Sequence, residues 1–116
     1  MAAEPTVTYE AAGPIAVVSL AKPDLNTLDL ATIDGVIDAL KQADGDDGIR
    51  AVVVTSALEK AFCAGLDLGL VLDGGAAVIR KLLQRLYIDL FDIQHHLGKP
   101  SIAAVNGVAR GGGMTL

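Results

Sequence analysis

The stretch from Lys99 to the end constrains the fold more than any other: Lys99-Pro100-Ser101-Ile102-Ala103-Ala104-Val105-Asn106-Gly107-Val108-Ala109-Arg110-Gly111-Gly112-Gly113-Met114-Thr115-Leu116. A proline opens it, and the apolar run at 102–105 is too short for a helix and reads as a buried strand. Three consecutive glycines then call for backbone that something approaches closely, or for conformations that a side chain forbids. Met114, Thr115 and Leu116 read as the first residues of a helix. A strand emptying into a glycine-rich turn at a helix N-terminus presents N–H groups and a positive dipole end to an anion. The same residues also suit a tight turn with no ligand at all.

Upstream, residues 6–10 and 14–20 are β-branched-rich runs separated by Ala11-Ala12-Gly13, a hairpin signal. Ala21-Lys22-Pro23-Asp24 breaks the second strand. Asn26 or Thr27 can cap a helix whose first turn carries Asp29 and whose apolar positions Leu30, Ile33, Val36, Ile37 and Leu40 recur at helical spacing. That leaves Asp34, Asp38 and Lys41 facing water, with Gly35 weakening the helix by about 1 kcal/mol. A turn at 43–48 ends it. Residues 49–55 form the clearest strand, and Val52-Val53-Val54 predicts burial on both faces. A loop follows over 56–65, then a helix from about 76 to 97 with Ile79, Leu82, Leu83, Leu86, Leu90, Ile93 and Leu97 on one stripe. Pro100 stops it. The order strand–strand–helix, strand–loop–helix, strand–turn–helix reads as α/β with crossover connections.

Composition narrows what such a chain does. The 116 residues make one domain at most, and a hydrophobic fraction of 52% with only 3% aromatics implies an aliphatic core. Charges interrupt every apolar run before it nears the ~18 residues of a membrane span. Met1-Ala2-Ala3-Glu4-Pro5 has no basic region followed by an apolar one, so no secretory leader is expected. The single cysteine, Cys63, forms no internal disulfide and fits a reducing, cytoplasmic compartment. A net charge of −5 argues against nucleic acid as a partner.

A second stretch, Phe62-Cys63-Ala64-Gly65-Leu66-Asp67-Leu68, follows the Val52–Val54 strand as the glycines follow the later one. It resembles the signature loop of the enoyl-CoA hydratase/isomerase (crotonase) superfamily. The run from Lys99 to Gly107 followed by Gly111-Gly112-Gly113 resembles that family's second signature, and Leu25-Asn26-Thr27-Leu28 its segment at the start of the first helix. Two motifs in the right order, ~45 residues apart with a helix between, make a specific pattern. The resemblance covers the chain from Thr6 onward. It implies a crotonase-like spiral of strand–strand–helix units, incomplete at the C-terminus, so that residues 1–116 are the N-terminal part of an acyl-CoA-binding domain.

By the family's motifs, the backbone N–H groups of Leu66 and Gly112 form an oxyanion hole for a thioester carbonyl, and Gly112 adds the dipole of the helix it opens. Leu25, Ala64, Gly65, Asp67, Leu68, Val108 and Gly111 line the substrate site, with the backbone of 64–68 holding the adenine end of coenzyme A. Coenzyme A is part of the substrate and no separate cofactor or metal is implied. The resemblance also implies fatty acid metabolism and a homo-oligomer, a trimer or hexamer in complete members. The physics supports such donors: removing a proton beside a thioester, or adding water across its double bond, builds charge on the carbonyl oxygen, and each preorganised donor contributes ~3–4 kcal/mol.

The departures bear on activity. Family hydratases place a glutamate where this chain has Thr115, and a threonine hydroxyl cannot replace a carboxylate in moving protons. Family isomerases use an acid farther along than Leu116. Arg110 stands where the family has a small or apolar residue, and reads as a surface arginine or a contact for a coenzyme A phosphate. The expected function is therefore an enoyl-CoA hydratase or isomerase, with Thr115 favouring isomerase or another branch. The alternative is a non-catalytic chain that binds acyl-CoA or packs against a partner. His95-His96 point different ways on a helix and make no metal pair, Cys63 reads as a packed residue, and Asp67 as a helix cap. Asp44, Asp46 and Asp47 lack the spacing of a calcium loop.

Overall fold

The structure, a computed structural model, describes residues 5–116; the leader reading falls, Pro5 apart, outside them. Strands β1 (Val7–Ala12) and β2 (Ile15–Leu20) pair antiparallel around Gly13, whose φ of 60° makes the tight turn. β3 (Ala51–Ser56) joins β2 in parallel, and β5 (Ser101–Ala103) joins β3 in parallel, giving the order β1-β2-β3-β5. A separate parallel pair is formed by β4 (Ala61–Cys63) and β6 (Val108–Ala109). The chain thus runs twice through strand–strand–helix and begins a third turn, ending in a short 3₁₀ helix at Gly111–Met114. It is the expected α/β spiral.

Helix α1 (Leu30–Gly45) buries Ile33, Val36, Ile37 and Leu40, at the spacing the sequence predicts, against Ala16, Val18 and Leu20 of β2 and Val52 and Val54 of β3. Its cap is Asp29, whose Oδ1 accepts from Thr32 N at 2.8 Å, and not Asn26 or Thr27. Asn26 is buried in the left-handed region (φ 54°), its amide donating to Ser56 Oγ at 2.7 Å and to the Phe62 carbonyl at 2.9 Å. Its polar atoms are therefore engaged before the helix starts. At the other end of α1, Lys99 Nζ donates to the Ala43 and Asp46 carbonyls, both at 2.6 Å, fastening that end beside the start of β5.

Five expectations change. β3 alternates, burying Val52, Val54 and Ser56 while Val53 is only half covered, so one face rather than both is buried. The predicted loop at 56–65 contains β4, three buried residues. The helix predicted from about 76 begins at α2 (Leu68–Gln84), broken at Gly75 (φ 72°), and continues through a π-helical stretch (Arg85–Leu90) into α3 (Phe91–His96). Of its stripe, Leu82, Leu86 and Leu90 are core, while Leu83 faces solvent. Finally, the strand expected to be buried at 102–105 is an exposed edge, with Ile102 and Val105 each 56% accessible, because only β3 pairs with it and nothing among the described residues covers it. The closing helix is likewise a four-residue 3₁₀ turn starting at Gly111, with Thr115 after it.

Candidate functional site

The site is built where β4 and β6 lie side by side. Their pairing depends on glycines at the point of closest approach. A Cβ on Gly113 would run into the Cys63 carbonyl, so only hydrogen lets the 3₁₀ turn sit there. Arg110 N donates to that same carbonyl at 3.0 Å. Gly65 has a φ of 95°, and a Cβ on it would lie 2.9 Å from the Arg110 carbonyl oxygen and 3.4 Å from Gly112 N. Standard backbone dimensions put Leu66 N within roughly 3.5 Å of that same point. The two motifs, remote in sequence, thus bring Leu66 N and Gly112 N close together.

The segment before Leu66 is held from the other side. Leu28 N donates to the Gly65 carbonyl at 2.7 Å and Asp67 N to the Leu28 carbonyl at 2.9 Å, a parallel bridge that skips the Leu66 N–H. Ala64 N donates to the Leu25 carbonyl at 3.0 Å. Among the described residues, neither Leu66 N–H nor Gly112 N–H donates a hydrogen bond. Two amide donors left without acceptors beside a cleft are ready for a ligand's oxygen.

That cleft, about 520 Å³, is lined by Leu25, Thr27, Ala64, Gly65, Leu66, Leu68, Tyr87, Gly111 and Gly112. Five of the seven predicted substrate residues and both predicted donors line this cleft, with two differences. Val108 lines an adjoining cavity of about 180 Å³, with Lys60, Ala61 and Arg110, which shares Leu25 and Ala64 with the cleft. Asp67 lines neither; it caps α2, its Oδ1 accepting from Gly69 N at 3.0 Å and Leu70 N at 3.3 Å. Its carboxyl is held below the usual range by the hydrogen bond from Lys22, with the cap bonds adding to it. Thr27 and Tyr87 are the cleft residues absent from the predicted site, and of the two only Tyr87 lies outside the motifs. It sits on the π-helical stretch, whose Leu86 packs so close to Gly112 that a Cβ there would be 2.8 Å from Leu86 Cδ2. A larger groove of about 570 Å³ on the outer face of α2, lined by Ile79, Leu83 and Ile88, also reaches Tyr87 but holds neither donor.

The remaining candidates have structural roles. Cys63 is buried, its Sγ 3.2 Å from the Asn26 carbonyl, and burial pushes its thiol up, away from the nucleophilic thiolate. His95 stacks on Phe91 and His96 Nδ1 lies 2.9 Å from the Asp92 carbonyl. Asp44 accepts from Gly98 N, and Asp46 from Gly48 N. No three His, Cys, Asp or Glu side chains among the described residues gather to hold a metal.

The enoyl-CoA hydratase/isomerase family model matches residues 10–116. The chain is 36% identical over 114 residues to the "Probable enoyl-CoA hydratase" of Rhodobacter capsulatus, covering 96% of this chain and 42% of that protein. It is 34% identical over 114 residues to the mitochondrial 3-hydroxyisobutyryl-CoA hydrolase of Danio rerio, covering 95% of this chain and 30% of that one. Among solved structures, an enoyl-CoA hydratase from Bacillus anthracis superposes with a TM-score of 0.88 at 30% identity, over 95% of this chain and 43% of the other. The chain therefore spans well under half the length of these relatives.

Proposed function

The chain belongs to the enoyl-CoA hydratase/isomerase family, and on that premise we propose that its cleft takes the thioester of an acyl-CoA, an enoyl-CoA of fatty acid metabolism being the natural case. The carbonyl oxygen sits between the N–H groups of Leu66 and Gly112, which act as an oxyanion hole. The observation that carries this reading is the pair of neighbouring amide donors, both without acceptors among the described residues, at one cleft. When charge moves onto the thioester oxygen, donors already fixed in place stabilise it without reorganising, and this lowers the barrier to enolate formation or to water addition. Leu25, Ala64, Gly65, Leu68 and Gly111 form the walls, and Val108 with the adjoining cavity extends them.

Proton transfer is a separate requirement. Of the residues lining the cleft only Tyr87 carries an acidic proton on its side chain besides the Thr27 hydroxyl, and no carboxylate is among them. Asp67 is engaged as a cap, and Thr115, where a hydratase glutamate is expected, bonds through its N–H to the Gly112 carbonyl at 3.1 Å and does not line the cleft. That favours, for residues 1–116 acting alone, binding and polarisation of the thioester over turnover. No helix among the described residues is long and apolar enough to cross a membrane. We place the protein in the cytoplasm, as a homo-oligomer needing no separate cofactor, with residues 1–116 forming the N-terminal part of the domain.

The test compares crotonyl-CoA with butyl-CoA thioether, which lacks the thioester carbonyl, by calorimetry on the purified chain. Two added hydrogen bonds predict affinity for the thioester about tenfold or more above the thioether. Equal affinities would remove the oxyanion hole from this reading.

A further inference from the structure

Lys22 has its side chain only 17% exposed, beneath the segment that carries Leu66. Its Nζ donates to the Thr27 carbonyl and to Thr27 Oγ1, both at 3.1 Å. It also pairs with Asp29 Oδ2 and Asp67 Oδ2, both at 3.2 Å. An ammonium has three protons, so these four acceptors leave it nothing to offer a ligand. Its partners are the cap of α1, the cap of α2 and a residue of the cleft wall. Asp67 directly follows Leu66, and Thr27 directly precedes Leu28, whose two backbone bonds flank the Leu66 N–H. The lysine's own backbone is fixed as well, its N–H donating to Asn26 Oδ1 at 2.8 Å and its carbonyl accepting from Asn26 N at 2.9 Å.

We propose that Lys22 is a positioning residue for the thioester site: by drawing Asp29, Asp67 and Thr27 onto one cation, it aims the Leu66 N–H into the cleft. It touches no substrate. Without its charge, two aspartates stand close together across a partly buried space, and like charges there drive the caps apart. The Leu66 segment, hung on one of those caps, turns with it. This rests on the reading of Leu66 N–H as a donor to the thioester carbonyl.

The experiment measures the infrared carbonyl stretch of crotonyl-CoA labelled with ¹³C at C1, bound to the chain, to Lys22→Met and to Lys22→Arg. The Leu66 amide resonance is followed in ¹⁵N-labelled protein without ligand. The native chain is expected to lower the stretch relative to free thioester. Lys22→Met is expected to lose most of that lowering, to bind the thioester about tenfold more weakly and to shift the Leu66 amide. Lys22→Arg restores most of each. Should Lys22→Met not fold, Lys22→Gln removes the same charge with a side chain of similar length, and the same readouts decide. A variant that melts earlier but keeps both the carbonyl shift and the Leu66 resonance overturns the proposal. Absence of any carbonyl shift in the native chain overturns the thioester reading instead, and the Leu66 resonance still decides whether Lys22 aims that N–H.

Discussion

Replacing Gly65 with alanine tests the geometry where it is tightest. The backbone there has a φ of 95°, and the new methyl would lie 2.9 Å from the Arg110 carbonyl oxygen and 3.4 Å from Gly112 N. Holding alanine in such a region costs about 1–3 kcal/mol by itself. The contact with Arg110 is with backbone, so relief requires the two loops to separate, adding roughly 1–3 kcal/mol as overpacking does elsewhere. A total of ~2–6 kcal/mol is a large share of the ~5–15 kcal/mol that holds a domain together. Gly13→Ala is the matched control: its φ is also positive, at 60°, but nothing lies within 4 Å of the added methyl. It should lose only about 1–2 kcal/mol of backbone strain.

Urea unfolding followed by circular dichroism gives both stabilities, and calorimetry with crotonyl-CoA and its thioether gives recognition of the carbonyl. Gly65→Ala is expected to be destabilised well beyond Gly13→Ala, and to lose the preference for thioester over thioether because the two donors no longer converge. Gly13→Ala keeps that preference. If Gly65→Ala is no less stable than the control and still prefers the thioester, the claim that Gly65 sets the spacing of the two donors is wrong.

Three further outcomes are expected. The chain should show no measurable hydration of crotonyl-CoA, followed by loss of the enoyl-thioester absorbance, because a missing general acid or base typically costs ~10²–10⁴ in rate and neither carboxylate is in the cleft; robust turnover would make Asp67 or Tyr87 the group to test. Asp67→Asn should destabilise the chain near neutral pH. Because the Asp67 carboxyl is held below its unfolded value by Lys22 and the cap bonds, its contribution is present above the unfolded pKa and is lost as pH falls through the folded one, so urea titrations of variant and parent should converge in acid. The open β5 edge, with Ile102 and Val105 exposed, should make the chain self-associate in sedimentation experiments, and Ile102→Lys should shift it toward monomer.

The parts of the fold that were legible in the sequence are those fixed by near neighbours. The β1–β2 hairpin followed from two β-branched-rich runs separated by Ala11-Ala12-Gly13, and α1 from the spacing of Ile33, Val36, Ile37 and Leu40. The cap was misassigned because Asn26, Thr27 and Asp29 all have cap chemistry. What separates them is Ser56, thirty positions away, which engages Asn26. β4 has three residues and exists through its pairing with β6, which no local pattern announces. The start of α2 was hidden by Gly74-Gly75, although Asp67 supplies an ordinary cap. At the site, Leu25, Ala64, Gly65, Leu66, Leu68, Gly111 and Gly112 were legible because motif residues carry backbone geometry. Tyr87 was not, since the π-helical stretch shifts the register by which helix faces are read.

The division of labour among charged groups follows from the same geometry. Asp29 and Asp67 cap helices and share Lys22; Arg85 joins Asp34 to Asp89, across from α1 to the π-helical stretch that carries Tyr87. Burial pushes the Asp29 carboxyl up, but its bonds from Thr32 and Lys22 outweigh that and leave it lowered, so it stays an anion bound to a cation near neutral pH. None of these carboxylates lines the cleft, and each moved toward it would break a cap or an ion pair. The described residues thus give the cleft a lining without a charged side chain and two amide donors, and a donor fixed in advance stabilises a developing oxyanion without having to reorganise. On the proposed reading, the charges of Lys22 and its partners hold the donors still, and any proton transfer falls to a group other than these carboxylates.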